Sequence, residues 1–212
     1  MNIELESITC DRCGSNNNAL LLQARNYRYG YPEMFNIVKC KECGLIYLNP
    51  RPTAEAALEQ YKEDYTPDEK VVDTGKQARG ILKKIFGPLW YKISGYYGIL
   101  EIKVKGRFLD VGCANGDILE IARNMGADVW GIELNPKSVK MCKDKILNVR
   151  CGTVEDSWYP DDYFDIIWMS QVIEHLPSPK NSLKEIRGIL KPCGRLYIFC
   201  PNAGILKHSD IS

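Results

Sequence analysis

The sequence lacks the features that mark membrane-spanning, secreted and nucleic-acid-binding proteins. No apolar run approaches the roughly 18 to 20 residues needed to span a bilayer. The first ten residues, MNIELESITC, include acidic residues and no apolar stretch, unlike a secretory signal peptide. The net charge is only +1, whereas extensive nucleic-acid binding usually brings a large positive excess. We therefore predict a soluble cytoplasmic protein with no membrane span, and nucleic acid is not the expected partner.

Histidine is scarce, with 2 residues, whereas cysteine is abundant, with 9. Four cysteines form two CxxC pairs near the N-terminus. The other five are scattered singly, at Cys113, Cys142, Cys151, Cys193 and Cys200. A secreted disulfide scaffold would be shorter and denser in cysteine. A reducing compartment, with one metal site and five ordinary thiols, fits this pattern better.

The two CxxC pairs predict a metal site made of Cys10, Cys13, Cys40 and Cys43. Each pair places two thiolates on one tight turn, and two such turns give a tetrahedral four-sulfur site. A glycine follows the second cysteine of each pair, where the turn needs a permissive residue. Zinc suits this ligation, although iron fits the same geometry. Because four thiolates leave no open position, we expect a structural Zn²⁺; a redox CxxC would need a thioredoxin-like context that the sequence lacks.

Three segments follow one another along the chain. Residues 1–52 are the cysteine module, residues 53–105 are a helical connector capped by Thr53, and residues 106–212 alternate between predicted strands and helices. We expect strands at RFLDV, DVWGIE, residues 148–151, FDIIWM and RLYIF. This alternation predicts an α/β fold, a Rossmann-like doubly wound parallel sheet.

A glycine-rich loop, DVGCANG over residues 110–116, follows the first of these strands and opens a helix. Glycine lets a ligand approach the backbone, and a helix N-terminus offers free N–H donors. The spacing from Gly112 to Gly116 is GxxxG, not the GxGxxG of a dinucleotide site, and the charge of Asp110 would repel a pyrophosphate. Asp110 instead suits an ammonium group, which S-adenosylmethionine (SAM) carries together with a carboxylate for the loop N–H groups. The predicted cofactor contacts here are Asp110, Gly112, Cys113, Ala114, Asn115 and Gly116.

Glu133 ends the second strand, 23 positions after Asp110. This is near the spacing expected of an acid that binds ribose hydroxyls, and a carboxylate has two oxygens to accept both hydroxyls. An acid at a strand end can also be a plain surface residue. Its place after a glycine loop favours ribose binding.

Five motifs in order make residues 107–202 resemble class I SAM-dependent methyltransferases. They are LDVGCANGDIL, VWGIELNP, GTVEDSWYPDDYFDII, SQVIEHLPSP and LKPCGRLYIFCPN. Two departures from the family pattern are mild. Ala114 replaces a frequent glycine, and Thr153 stands where many members have an aspartate for the adenine amine.

The resemblance implies further cofactor contacts beyond the glycine loop. The acid after strand two binds ribose in this family, the residues after strand three flank the adenine, and the end of strand four faces the methionine part. On this chain these positions are Glu133 with Leu134, Val154 with Glu155, and Ser170 with Gln171.

His175 is the candidate catalytic base. It follows strand four, near the crevice where open α/β sheets bind ligands, and histidine titrates near neutral pH. A base is needed only if the methyl acceptor must lose a proton. The pair Glu174-His175 can also order the loop or line the pocket without proton transfer.

The whole layout resembles bacterial methyltransferases that carry an N-terminal zinc-ribbon-like module. Some of these act on nucleotide-linked sugars as C-methyltransferases, and others belong to surface-glycan gene sets. The resemblance implies methyl transfer to a small molecule or a sugar or glycan precursor. An RNA methyltransferase is the alternative enzyme, supported by the basic stretch 76–107 with its interleaved aromatic residues. A non-catalytic SAM-binding or partner-binding protein is a third hypothesis.

The chain is expected to be a shortened methyltransferase, because only twelve residues follow the fifth strand at Cys200. These cannot supply another helix and two strands. Strand five would then present an unpaired edge. A chosen domain boundary, a natural truncation or a homodimer that covers this edge would each explain the pattern.

Overall fold

The computed structural model describes residues 3–25, 34–57, 59, 99 and 102–202. Most of the predicted connector 53–105, including nearly all of its basic stretch, and the tail from residue 203 lie outside the described residues. The chain divides into two compact units. One comprises Met1–Tyr61, Leu176–Lys180 and Pro201–Ser212, and the other comprises Lys62–His175 and Asn181–Cys200.

The first unit contains short antiparallel strands. β1 (Leu5–Glu6) pairs with β5 (Arg51–Pro52), while β2 (Asn18–Arg25), β3 (Met34–Cys40) and β4 (Ile46–Leu48) form a three-stranded antiparallel sheet in that order. Turns at residues 11–13 and 41–43 precede β2 and follow β3, so the sheet places the two CxxC pairs near each other.

Hydrogen bonds cap a helix start at Thr53 and join Asp11 to a later segment of the same unit. The Thr53 hydroxyl accepts a hydrogen bond from the backbone N–H of Ala56 at 3.2 Å, as expected of a helix N-cap, and residues 54–57 are helical. The Asp11 carboxylate accepts from the Ser178 hydroxyl at 2.7 Å and from the Lys180 backbone N–H at 2.8 Å.

The second unit is built on a five-stranded parallel sheet in the order β10-β9-β6-β7-β8. Its strands are β6 (Arg107–Val111), β7 (Asp128–Glu133), β8 (Asn148–Cys151), β9 (Phe164–Ser170) and β10 (Leu190–Phe199). The first strand in sequence lies at the centre, and later strands add on both sides. This confirms the predicted α/β class and doubly wound Rossmann-like sheet.

Three helices connect the strands: α1 (Asp117–Asn124), α2 (Pro136–Asp144) and α3 (Pro179–Ile189). The side chain of Asn135 caps α2 by accepting from the backbone N–H groups of Lys137 at 2.8 Å and Ser138 at 3.4 Å. Proline opens this helix because it has no N–H to leave unpaired. Such local rules set where the helices begin.

A hydrophobic core joins α1 and α2 to the sheet. Phe108 and Leu119 are fully buried in it, and Trp168 and Tyr197 contribute aromatic surface. Packing in this core sets the positions of α1 and α2 relative to the sheet. It therefore also sets the positions of the loops at the carboxyl ends of β6 and β7, from which these helices begin. No helix among the described ranges is long and apolar enough to cross a membrane.

Candidate functional site

The glycine loop follows the carboxyl end of β6 and is bonded to β7. The backbone N–H groups of Gly112 and Cys113 both donate to the Ile132 carbonyl, at 2.8 and 3.1 Å. Gly112 and Gly116 have φ of 74° and 80°, which glycine adopts without steric cost. A Cβ at Gly112 would also clash with the side chain of Val172. At Gly112 both the backbone angle and the lack of space for a Cβ therefore require glycine.

Ala114 departs from the loop pattern in a way that has a backbone cost. Its φ is 47°, in the left-handed region where a Cβ costs about 1–2 kcal/mol. From the sequence this substitution is a mild change that concerns the adenine contacts. In the structure, the consequence of the substitution is instead an unfavourable backbone angle at Ala114.

Glu133 is almost completely buried, at 1% exposure. One carboxylate oxygen accepts from the backbone N–H of Ala114 and the other from that of Asn135, both at 2.8 Å. Each oxygen has a second lone pair that a ribose hydroxyl could use. Glu133 thus joins the end of β7 to the glycine loop, a structural role that sequence reasoning missed because it depends on a contact across 19 positions.

Asp110 lies near the end of β6 and is 4% exposed. Burial raises its pKa well above the usual range, and the neighbouring charges of Glu133 and Cys142 raise it further. An approaching ammonium group would favour the ionised form and offset this penalty. A cation bound beside Asp110 would therefore reduce the cost of burying its charge.

Two side chains from the end of α2 contact the loop and were missed from the sequence. The Cys142 thiol donates to the Ala114 carbonyl at 3.3 Å, and the Lys145 ammonium donates to the Asn115 carbonyl at 2.8 Å. The hydrogen bond with Cys142, followed by burial, raises the pKa of the Cys113 thiol. Cys142 and Lys145 are three positions apart and so lie on one face of the helix, and this spacing was the sequence signal that could have identified both contacts.

The residues assigned to the adenine side follow the carboxyl end of β8. Val154 is buried, whereas Glu155 is exposed and its carboxylate accepts from the hydroxyl of Ser182 on α3. The Thr153 hydroxyl donates to the Asp156 carboxylate at 2.8 Å. An acid is therefore present three positions beyond the one expected from the family pattern. Leu134, after β7, is half-buried and its carbonyl accepts from the Cys151 thiol at 3.6 Å.

The remaining predicted residues follow β9. Ser170 is its last residue and is half-buried, while Gln171 is exposed, has φ of 57° and donates its backbone N–H to the Phe199 carbonyl at 2.8 Å. A short 3-10 helix, Ile173–His175, comes next, and His175 is exposed. The predicted cofactor residues and His175 all lie at or just after the carboxyl ends of strands in the same parallel sheet, and these ends share one edge.

The four cysteines of the first unit converge as the spacing predicts. Their sulfur atoms all lie within 4.8 Å of one another, with Cys10 to Cys43 at 3.5 Å and Cys13 to Cys40 at 3.6 Å. A tetrahedral zinc with Zn–S bonds of about 2.3 Å separates its sulfurs by about 3.8 Å, so the four thiols fit such an ion. The backbone N–H of Cys43 is the main cause that lowers the pKa of the Cys40 thiol, to about 7.

The two turns share one backbone pattern. Gly14 and Gly44 donate to the carbonyls of Cys10 and Cys40, at 2.7 and 3.0 Å, and have φ of 76° and 77°. This confirms the prediction that each turn needs a permissive residue after its second cysteine. Four thiols in this arrangement can hold a metal but offer it no open coordination position.

Residues 109–198 match a family model described as methyltransferase domain. Together with the parallel sheet, this confirms the predicted methyltransferase fold of this segment. The match ends at Ile198, next to the last residue of β10.

Curated relatives match the same part of the chain. A ubiquinone biosynthesis O-methyltransferase of Coxiella burnetii is 30% identical over 104 residues, covering 46% of this chain and 44% of that protein. The 27-O-demethylrifamycin SV methyltransferase of Amycolatopsis mediterranei is 27% identical over 110 residues, covering 48% and 40%. A solved SAM-dependent methyltransferase from Archaeoglobus fulgidus aligns with a TM-score of 0.48 at 26% identity, covering 58% of this chain and 57% of that one. The matched stretch thus spans less than half the length of these curated relatives.

Proposed function

We propose that this chain is a SAM-dependent methyltransferase that acts on a small-molecule acceptor. The observation that carries the proposal is the glycine loop at the end of β6, flanked by the two buried acids Asp110 and Glu133, inside the segment that matches the methyltransferase domain. The loop supplies backbone donors, and the acids supply acceptors for an ammonium and for hydroxyl groups. SAM presents each of these groups.

In this proposal the protein binds and orients, because SAM supplies both the methyl group and its own leaving group. Asp110 faces the ammonium, the loop from Gly112 to Gly116 holds the carboxylate, and Glu133 accepts from ribose with its remaining lone pairs. Val154 and Glu155 flank the adenine with Leu134 nearby, and Ser170 and Gln171 face the methionine part.

The acceptor atom that we propose is a hydroxyl oxygen. Two of the similar proteins are named for methylation at oxygen on small molecules, a ubiquinone precursor and a rifamycin. A hydroxyl must lose its proton during transfer, and His175 is the proposed base because it is exposed just after β9. Sugar and glycan-precursor hydroxyls belong to the same chemical class and form one arm of the substrate test.

We further propose that the cysteine cluster holds one structural Zn²⁺. Its support is the convergence of four sulfur atoms from two turns of matching geometry. In such small modules metal binding and folding are coupled, so the ion would maintain the fold of the module and take no part in methyl transfer.

Calorimetric titration with SAM and with S-adenosylhomocysteine tests the cofactor assignment directly. Glu133→Ala should weaken binding at least about tenfold, because it removes the acceptors for ribose and the hydrogen bond from the Ala114 N–H that holds the loop. Asp128→Ala is the matched control, since Asp128 is an exposed acid at the other end of the same strand. Equal binding by parent and Glu133→Ala would contradict the site, and no binding by the parent would contradict the function.

A screen with labelled SAM then tests the acceptor. Phenols and quinol precursors form one arm, and nucleotide-linked sugars form the other. Label transfer to a hydroxyl in either arm supports the proposed class. If neither arm is labelled and a parallel incubation with RNA is, the alternative enzyme replaces the proposed class.

A further inference from the structure

Lys145, the residue that follows α2, reaches the glycine loop from the far end of the helix. Its ammonium donates to the Asn115 carbonyl at 2.8 Å, to the Glu120 carboxylate at 2.9 Å and to the Asp117 carboxylate at 3.3 Å. Asn115 lies in the loop, whereas Asp117 and Glu120 belong to the first turn of α1. One half-buried cation therefore ties α2 to both the loop and the helix that the loop opens.

The loop needs such ties because its conformation is not the intrinsic preference of its residues. Ala114 and Gly116 both have positive φ, and at Ala114 this is unfavourable. Besides the backbone bonds to β7, three side chains hold the loop: Glu133 accepts from the Ala114 N–H, while Cys142 donates to the Ala114 carbonyl and Lys145 to the Asn115 carbonyl. Among these, Lys145 alone brings a full charge to the loop from outside the sheet.

The charged form of Lys145 is stabilised by neighbouring carboxylates. Burial opposes the charged form, but the carboxylates of Glu120 and Asp117 outweigh it and raise the pKa of Lys145 above its ordinary value. Lys145 thus stays protonated across the neutral range and keeps its donors. Because the two acids neutralise it locally, its contribution to the loop is a fixed hydrogen bond and not a field acting on the ligand.

We propose that Lys145 is a positioning residue for the SAM loop, which it holds in the binding conformation through the Asn115 carbonyl. The inference rests on the proposed function, since it takes SAM as the ligand of this loop. A loop that is correctly folded for only a fraction of the time binds its ligand more weakly by that fraction. Loss of Lys145 should therefore reduce the affinity for SAM without removing any group that contacts SAM.

The test compares Lys145→Met with Arg123→Met. Arg123 on α1 donates to the carbonyls of Lys145 and Ile146, at 3.3 and 3.2 Å, so it also joins α1 to the end of α2 but does not contact the loop. Both variants replace a long cation with the same neutral side chain. Lys145→Met should raise the Kd for SAM and S-adenosylhomocysteine about tenfold, and Arg123→Met should leave it within about twofold.

Two further readouts separate positioning from general destabilisation. Hydrogen exchange of the ligand-free protein should be faster at residues 113–116 in Lys145→Met than in Arg123→Met, when both are compared at equal distance below their melting temperatures. Lys145→Arg, which keeps a cation and donors, should recover most of the affinity. If the parent binds SAM and Lys145→Met binds it equally well, or exchange in the loop is unchanged, the inference is wrong. If the parent binds no SAM, the proposed function fails and the inference fails with it.

Discussion

Asp110 and Glu133 place two buried carboxyl groups on adjacent central strands, and the charge of Glu133 adds to the effect of burial in raising the pKa of Asp110. Such an arrangement opposes stability in the absence of a ligand. It becomes favourable when a cation binds, because the ionised form of Asp110 then has a partner.

Asp110→Asn should therefore stabilise the ligand-free protein and weaken SAM binding. A carboxyl whose pKa is raised on folding costs stability as the pH rises above its unfolded value of about 4, up to its folded pKa. The gain in the variant should be absent near pH 4, grow through this window and reach about 0.5–2 kcal/mol at neutral pH. Chemical denaturation at several pH values measures it. A destabilised Asp110→Asn protein at neutral pH would contradict the assigned cost.

SAM affinity gives the second half of the same comparison. Parent affinity should rise with pH as Asp110 ionises, and the rise should be shallower in Asp110→Asn. Calorimetry at several pH values above about 4, the ordinary pKa of an aspartate, measures both slopes. Parallel slopes would show that Asp110 does not bind the ammonium.

Gly112→Ala should disrupt the loop, because an added Cβ would clash with Val172 at a positive φ. Gly126→Ala is the matched control, since Gly126 also has positive φ but has nothing within 4 Å of the added atom. The control should cost about 1–2 kcal/mol from the backbone alone. Gly112→Ala should cost more and also abolish measurable SAM binding. Equal losses of stability in the two variants would show that Val172 moves aside.

Ala114→Gly should stabilise the protein slightly. Relief of the left-handed alanine is worth about 1–2 kcal/mol, and the added freedom of the unfolded chain returns about 0.4–1 kcal/mol of this. A net gain of roughly 0.5 kcal/mol, seen as a small rise in the denaturation midpoint, is expected. A loss of stability would mean that the alanine methyl has favourable contacts that outweigh its strain.

The cysteine cluster should bring one zinc per chain through purification. Cys40→Ser should lose the ion, and Cys193→Ser, at an exposed single cysteine of the other unit, should keep it. Structural zinc sites commonly contribute on the order of 10 kcal/mol of binding free energy, so the first unit should unfold when a chelator removes the ion. Elemental analysis of a reduced sample gives the stoichiometry. A metal-free, folded first unit would refute the site, and iron in its place would change the ion but not the ligands.

His175→Asn should leave SAM binding within about twofold and slow turnover by roughly 10²–10⁴ once an acceptor is known. Unchanged turnover would show that His175 has only a structural role in the loop, and that the hydroxyl proton leaves to solvent or to another group of the acceptor.

Sequence patterns predicted the elements that depend on neighbouring residues. The five strands of the parallel sheet, the cap at Asn135 and the two turns that bring the four cysteines together follow from local periodicity or spacing, and each is confirmed. The side-chain hydrogen bonds that hold the glycine loop could not be predicted in this way. Glu133, Cys142 and Lys145 reach the loop from 19 to 30 positions away. The pairing of β7 with β6 brings Glu133 there, and the packing of α2 on the sheet brings the other two. The cost at Ala114 was also hidden, because a residue type does not reveal its backbone angle.

The strand order also has a consequence for how this domain assembles. Phe108 on the central strand pairs with Val129, 21 positions later, and with Ile166, 58 positions later. Distant pairings form more slowly than near ones, so we expect β6, β7 and β8 to associate before β9 docks. Val172, which confines Gly112, arrives only with the later strand. On a ribosome, the nascent chain would therefore expose an unconfined glycine loop until the fourth strand of the sheet had emerged. Competence to bind SAM would then arise late in folding, after the first three strands have associated.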